Sequence, residues 1–176
     1  MLHETISFLQ SIGLPTMVGT VPESSFLPNI FIRHGTIQVT SGVLIGDLLH
    51  EAGHLAVVPS RFRPLMHGAL YRSFDQIFEQ LANLEPTHPD VIAMLHAEDT
   101  AATAWSWACG VHLGVAHDDI ITTEAFDGDG AGIRSMLSRH QYIGIHALQG
   151  SGFCAAHGLC NPKLPVFPRL AFWAKA

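Results

Sequence analysis

A polar stripe on an otherwise apolar helix is the feature that most constrains how this chain can fold. Over residues 43–58 nearly every side chain is apolar, which is the pattern of a buried helix. The polar exceptions share one narrow face, because they fall at positions i, i+3, i+4 and i+7. They are Asp47, His50, Glu51 and His54. Burying two imidazoles and two carboxylates is costly unless they pair or bind a metal, so the stripe predicts a metal site.

The stripe contains the sequence His-Glu-x-x-His. On a helix, His50 and His54 lie one above the other and can occupy two corners of a zinc tetrahedron. Glu51 can reach a water on that metal, where it would act as the general base of a metal-assisted hydrolysis. The chain contains 12 histidines, yet its composition gives only about 0.03 accidental matches to this motif. The motif therefore predicts zinc.

A catalytic zinc usually has three protein ligands and a water, so one ligand remains to be found. The extended motif with a third histidine is excluded, because Val57 and Ser60 occupy its glycine and histidine positions. We expect Glu98 to be the third ligand, since it lies on a long predicted helix whose small residues permit a close approach to the metal helix. Asp99 is the alternative. Neighbouring helical residues point about 100° apart, so Glu98 and Asp99 cannot serve equally well.

Two further sequences have only part of a metal-binding pattern. Cys154-x-x-His157-x-x-Cys160 lacks a fourth ligand at motif spacing, and we interpret it as structural or incidental. Residues 127–130 alternate Asp and Gly but lack the closing Glu of an EF-hand, which indicates a turn. Near the zinc motif, Asp47 has two interpretations. It can accept the second ring N–H of a zinc-binding histidine, or it can contact the adjoining loop.

The remaining pattern predicts an α+β fold, mostly helical, in one domain of residues 1–176. Apolar periodicity predicts helices over residues 2–12, 73–84, 89–113 and 133–140. Alternating apolar residues over 29–40, with His34-Gly35 between them, predict a β-hairpin beside the metal helix. The proline-rich tail predicts an extended segment that packs back on the body.

Charge and cysteine content restrict the partners and the compartment. The formal net charge is −6 and the nine Lys and Arg residues do not cluster, so we expect no nucleic-acid partner. The sequence has no apolar run of spanning length and no signal-peptide pattern. Three cysteines argue against a disulfide framework, so the simplest location is a reducing cytoplasm. The hydrophobic composition suits a homodimer and suits a tightly packed monomer equally.

The segments 50–54 and 98–101, His-Glu-Ala-Gly-His and Glu-Asp-Thr-Ala, resemble those of gluzincin-type zincin metallopeptidases. The short chain is similar to the minimal gluzincins, including small bacterial ones that cleave phage-type repressors. The resemblance covers roughly residues 30–113. It implies a zincin-like strand-helix-helix core, zinc held by His50, His54 and Glu98, and peptide-bond hydrolysis in which Glu51 activates water. Gluzincins often add a Tyr or His that stabilises the oxyanion, and among the late candidates, His140, Tyr142 and His146, we choose Tyr142.

A second family shares part of this wording. His-Glu-Ala-Gly-His is also found in membrane-anchored AAA proteases, whose third ligand is an aspartate, and by that resemblance the ligand would be Asp99. This chain has no Walker motif, so at most the peptidase core would be shared. We expect a zinc-dependent metallopeptidase-like hydrolase acting on a peptide or protein. The alternatives are a zincin-fold metal-binding regulatory or interaction protein without turnover, and a metal-free helical interaction module.

Overall fold

The fold is α+β, with helices predominating over a small three-stranded sheet. A computed structural model describes residues 1–23, 25–157, 161 and 163–176. The helices are α1 (Leu2–Ser11), α2 (Ile45–Val57), α3 (Leu70–Leu81), α4 (Pro89–Leu95), α5 (Asp99–His112), α6 (His117–Ile120), α7 (Gly130–Ser138) and α8 (Gly144–Gly150). The strands are β1 (Thr16–Val18), β2 (Ile30–Arg33) and β3 (Thr36–Val39), and 3-10 turns cover Ser60–Leu65 and Phe126–Gly128.

The sheet contains the predicted hairpin and one strand that the sequence did not predict. Strands β2 and β3 are antiparallel, with Ile30 opposite Val39, and their inward side chains are buried. His34 and Gly35 have positive φ angles of 48° and 76°, as a two-residue hairpin turn of this kind requires. Strand β1 pairs in parallel with β3, giving the order β1-β3-β2. With three residues, β1 is too short to show an alternating pattern.

Helices α2 and α5 pack closely against each other. Gly53 of α2 lies so close to α5 that a Cβ atom at this position would be 2.5 Å from the carbonyl oxygen of Ala102. The facing part of α5 is built from small residues, and Ala101, Ala102 and Ala104 are completely buried. The absence of a side chain at Gly53 therefore allows the two backbones to touch. The contact brings the first turn of α5 to the polar stripe of α2.

The helix predicted over residues 89–113 is divided into two. Helix α4 ends at Leu95 and α5 begins at Asp99, with Glu98 between them as the residue that precedes α5. Glu98 has an extended conformation (φ −76°, ψ 167°) and makes no side-chain capping hydrogen bond. Glu is not among the residues that favour this capping position, so the sequence carried no clear signal for the break. As a result, Glu98 and Asp99 do not belong to one continuous helix.

The C-terminal tail packs back on the body, as predicted, and contacts the C-terminal end of α2. The backbone N–H of Lys175 donates a hydrogen bond of 2.9 Å to the carbonyl of Ala56, and Nε of Arg63 donates one of 2.8 Å to the carbonyl of Leu55. These bonds satisfy carbonyl groups that the last turn of α2 leaves unpaired. None of the helices in the described ranges combines the length and apolar character needed to cross a membrane.

The contact between α2 and α5 makes Gly53→Ala a destabilising change. The new methyl group must push two helix backbones apart, so we expect the free energy of unfolding to fall by about 1–3 kcal/mol. Gly132→Ala is the matched control, since nothing lies within 4 Å of a Cβ at that exposed position of α7. Alanine there favours the helix, so the control should be at least as stable as the parent. Urea unfolding of both proteins measures the difference, and equal stability would contradict the close helix contact.

Candidate metal centre

Two helices bring three possible metal-binding side chains together. His50 and His54 lie on successive turns of α2, and Asp99 is the first residue of α5. The Nε2 atoms of the two histidines are 3.2 Å apart. Oδ1 of Asp99 is 3.2 Å from Nε2 of His50 and 3.5 Å from Nε2 of His54. This His-His-Asp group can hold a metal ion, because one donor atom from each residue lies within 4.8 Å of the other two.

The spacing of the donor atoms fits a tetrahedral ion. Two ligands at zinc-binding distance in a tetrahedron are roughly 3.3 Å apart, which is close to the separations of the three donors. Their lone pairs would repel one another without a shared proton or cation between them. Three protein ligands would leave one tetrahedral corner for a water or a substrate oxygen, as in catalytic zinc sites.

The group is closed toward the protein interior and open on one side. The side chains of His54, His50 and Asp99 are 9%, 19% and 62% exposed, so exposure rises from α2 to the start of α5. The apolar side chains of α2 that flank the histidines, Leu48, Leu49 and Ala52, are completely buried. Among the three donors, Asp99 is therefore the one most open to solvent.

The charges of the group reinforce one another. Hydrogen bonds from His50 and His54 hold the pKa of Asp99 well below its usual range, so this carboxylate is ionised at any physiological pH. Burial alone would lower the pKa of His50, but the hydrogen bond and charge of Asp99, together with the charges of Glu51 and Asp47, outweigh it and the pKa rises. The buried centre therefore attracts positive charge, which protons or a metal ion can supply.

Glu51 lies beside the group with a raised pKa. Burial is the main cause, and the neighbouring charges of His54 and His50 offset part of it. A carboxylate whose pKa lies closer to neutrality takes up and releases a proton more readily at physiological pH, which is the property required of a general base. The role of Glu51 as general base stays a prediction.

The structure brings Asp99, rather than Glu98, to the two histidines. Glu98 is exposed and precedes α5, and it does not belong to the donor group found in the described residues. Helix α5 starts at Asp99, and the side chain of Asp99 faces α2. Glu98 precedes the helix in an extended conformation, so its side chain takes a different direction. The resemblance of His-Glu-Ala-Gly-His to the AAA proteases, whose third ligand is an aspartate, was the signal in the sequence that pointed to Asp99.

Asp47 and Tyr142 lie near the group without entering it. Burial raises the pKa of Asp47 and the charge of His50 lowers it, but no hydrogen bond joins them in the described part of the chain. Tyr142 is 7% exposed. Burial and the charge of Asp99 raise its pKa, whereas the contact of its hydroxyl with Thr103 lowers it. The orienting role of Asp47 and the oxyanion role of Tyr142 stay predictions. The Cys154-x-x-His157-x-x-Cys160 pattern cannot be compared with the structure as a whole, because Cys160 lies outside the described residues.

Phe126 is a neighbour of the group that the sequence analysis did not single out. Its ring packs edge-on against the ring of His50, with centroids 5.9 Å apart. Residues 116–132 have no apolar periodicity, so nothing local in the sequence marks Phe126 as part of the site. No protein-family model, curated protein or solved structure matches this chain. Any assignment of function therefore rests on the residues of the site.

The ligand set can be tested with two adjacent carboxylates. We expect Asp99→Ala to weaken zinc binding at least tenfold, because it removes one of three donors. Glu98→Ala removes the same type of group one residue away, and we expect it to leave zinc affinity unchanged. Competition with a chromophoric chelator measures both affinities. The opposite pattern, with zinc lost only from the Glu98→Ala protein, would restore Glu98 as the ligand.

Zinc binding should depend on pH in a way that reflects the raised pKa of His50. A proton on Nε2 competes with the metal, and a raised pKa lets it compete at higher pH. We therefore expect zinc affinity to be constant at alkaline pH. As the pH is lowered, affinity should begin to fall while the pH is still above ~6.5, the usual histidine pKa. Chelator competition between pH 5.5 and pH 8.5, with NMR titration of the metal-free protein, measures this. A decline confined to lower pH would contradict the charge balance described here.

Proposed function

We propose that this protein is a zinc-dependent metallopeptidase-like hydrolase with a zincin-like core. His50, His54 and Asp99 would hold the zinc, and Glu51 would be the general base. The observation that carries the proposal is the convergence of two imidazoles and a carboxylate beside a partly buried glutamate. Each component has a required role in metal-assisted hydrolysis, and the four lie at the contact of only two helices.

The donor chemistry favours zinc over Mg²⁺ and Ca²⁺, because those ions prefer oxygen ligands and two of the three donors here are imidazole nitrogens. Two imidazoles with one carboxylate are also an established donor set of catalytic zinc. Bound zinc would polarise a substrate carbonyl and lower the pKa of a bound water.

Glu51 would move the protons of the reaction. It follows His50 directly in α2, so its carboxylate leaves the helix beside the ligand rather than toward the metal. There it can accept a proton from the attacking water and pass it to the departing nitrogen, as a general base and then a general acid. The raised pKa of Glu51 supports both transfers, because protonated and ionised forms are then closer in free energy.

The substrate would be a peptide or protein, with Tyr142 as the donor to the developing oxyanion. Tyr142 contacts Thr103, one turn beyond Asp99 on α5, which supports its nearness to the centre. The low exposure of Tyr142 as a whole, 7%, favours the alternative of a metal-binding regulatory or interaction protein without turnover, because a substrate has little of this side chain to contact. The two functions share the metal and differ in catalysis.

Glu51→Gln separates metal binding from catalysis. The amide cannot accept the proton, so we expect hydrolysis to fall about 10²- to 10⁴-fold while one zinc per chain is retained. Glu98→Gln is the control, since it makes the same change at an exposed position outside the donor group. Zinc content and cleavage of a peptide library by the zinc-loaded proteins are the measurements. A parent protein that holds zinc but cleaves nothing would support the alternative, and full activity in Glu51→Gln would exclude Glu51 as the base.

A further inference from the structure

A strained turn lies next to the metal centre. Phe126, Asp127 and Gly128 have φ angles of 55°, 57° and 97°, so three consecutive residues are in the left-handed region. Glycine adopts this region freely, but a bulky aromatic residue there is a marked outlier. Strain of this kind persists only where the surroundings impose it, and it is concentrated at ligand-binding sites. The backbone at Phe126 is therefore not explained by local preference.

Contacts on both sides hold this turn in place. Arg134 of α7 donates to the Thr123 hydroxyl at 3.1 Å and pairs with Asp118 at 3.0 Å, which fixes the chain before the turn. After the turn, a Cβ at Gly130 would be 1.9 Å from the carbonyl oxygen of Thr122, so the two backbone segments are in direct contact. The chain on both sides of the turn is therefore held by contacts, which restricts where the turn can place the side chain of Phe126.

The side chain of Phe126 lies at the rim of the metal centre. Its ring meets the ring of His50 at an interplanar angle of 73° and remains 36% exposed. The ring of His50 contacts part of its apolar surface, and about a third of the residue faces solvent. An apolar surface of this kind, fixed beside an open coordination position, can contact the group that follows the metal-binding atom of a ligand.

We propose that Phe126 forms the wall of an apolar subsite beside the metal centre. It would contact the side chain of the substrate residue next to the scissile bond and select peptides with an aromatic or large aliphatic residue there. The proposal rests on the function proposed above. The contact of Phe126 with His50 places its ring where a bound substrate would pass, and local preference does not explain its left-handed backbone.

Two hydroxamic acids test the subsite, because they share a metal-binding group and differ in one aromatic ring. We expect 3-phenylpropanohydroxamate to bind the zinc-loaded full chain more tightly than acetohydroxamate, as measured by calorimetry. In Phe126→Ala this preference should shrink about three- to tenfold, the size of one aromatic contact. Phe26→Ala is the matched control, since Phe26 is 93% exposed and is not part of the turn. It should leave the preference unchanged.

Phe126→Asn guards against misfolding of the alanine protein, because asparagine tolerates the left-handed region and also lacks the aromatic ring. In the metal-free proteins, loss of the ring should shift the NMR signals of the His50 ring protons, which tests the contact without zinc. An unchanged hydroxamate preference with normal zinc content, or unshifted His50 signals, would overturn the subsite alone. Failure of the parent to bind zinc would overturn the proposed function and the subsite with it.

Discussion

The approach of α2 to α5 is the constraint on which the candidate site depends. A Cβ at Gly53 would lie 2.5 Å from the Ala102 carbonyl oxygen, so any side chain at that position would separate the helices. Asp99 lies three residues before Ala102, and the same contact therefore holds its carboxylate within 3.5 Å of both histidines. Glycine in the middle of a helix is ordinarily unfavourable, and the closeness of this contact accounts for it here.

The contact between α2 and α5 concentrates negative charge around the two histidines. Asp47, Glu51 and Asp99 are three carboxylates around two imidazoles, in a part of the fold where the flanking side chains are completely buried. Such a group needs positive charge, and its donor atoms face one another at distances that a small cation would fill. Beyond His54, at the C-terminal end of α2, Arg63 and the tail satisfy the carbonyl groups of Leu55 and Ala56.

Local features of this fold were predictable and non-local ones were not. The stripe on α2 and the hairpin turn at His34 and Gly35 follow from spacing within a few residues, and the structure has both. The choice between Glu98 and Asp99 depended on where α5 begins, which no capping residue marks. Strand β1 has only three residues and is a strand because it pairs with β3, so its own sequence does not indicate it. The left-handed conformation of Phe126 is opposite to its own preference, so the residue itself gave no signal for it.

The most direct test of the metal centre is X-ray absorption spectroscopy of the zinc-loaded protein, with zinc content measured on the same sample. One zinc per chain, with only nitrogen and oxygen neighbours at about 2.0–2.1 Å and the multiple scattering of two imidazoles, is the result we predict. A sulfur neighbour at about 2.3 Å would place the zinc on cysteine instead. That result, or a protein that takes up no zinc, would contradict the assignment of His50, His54 and Asp99.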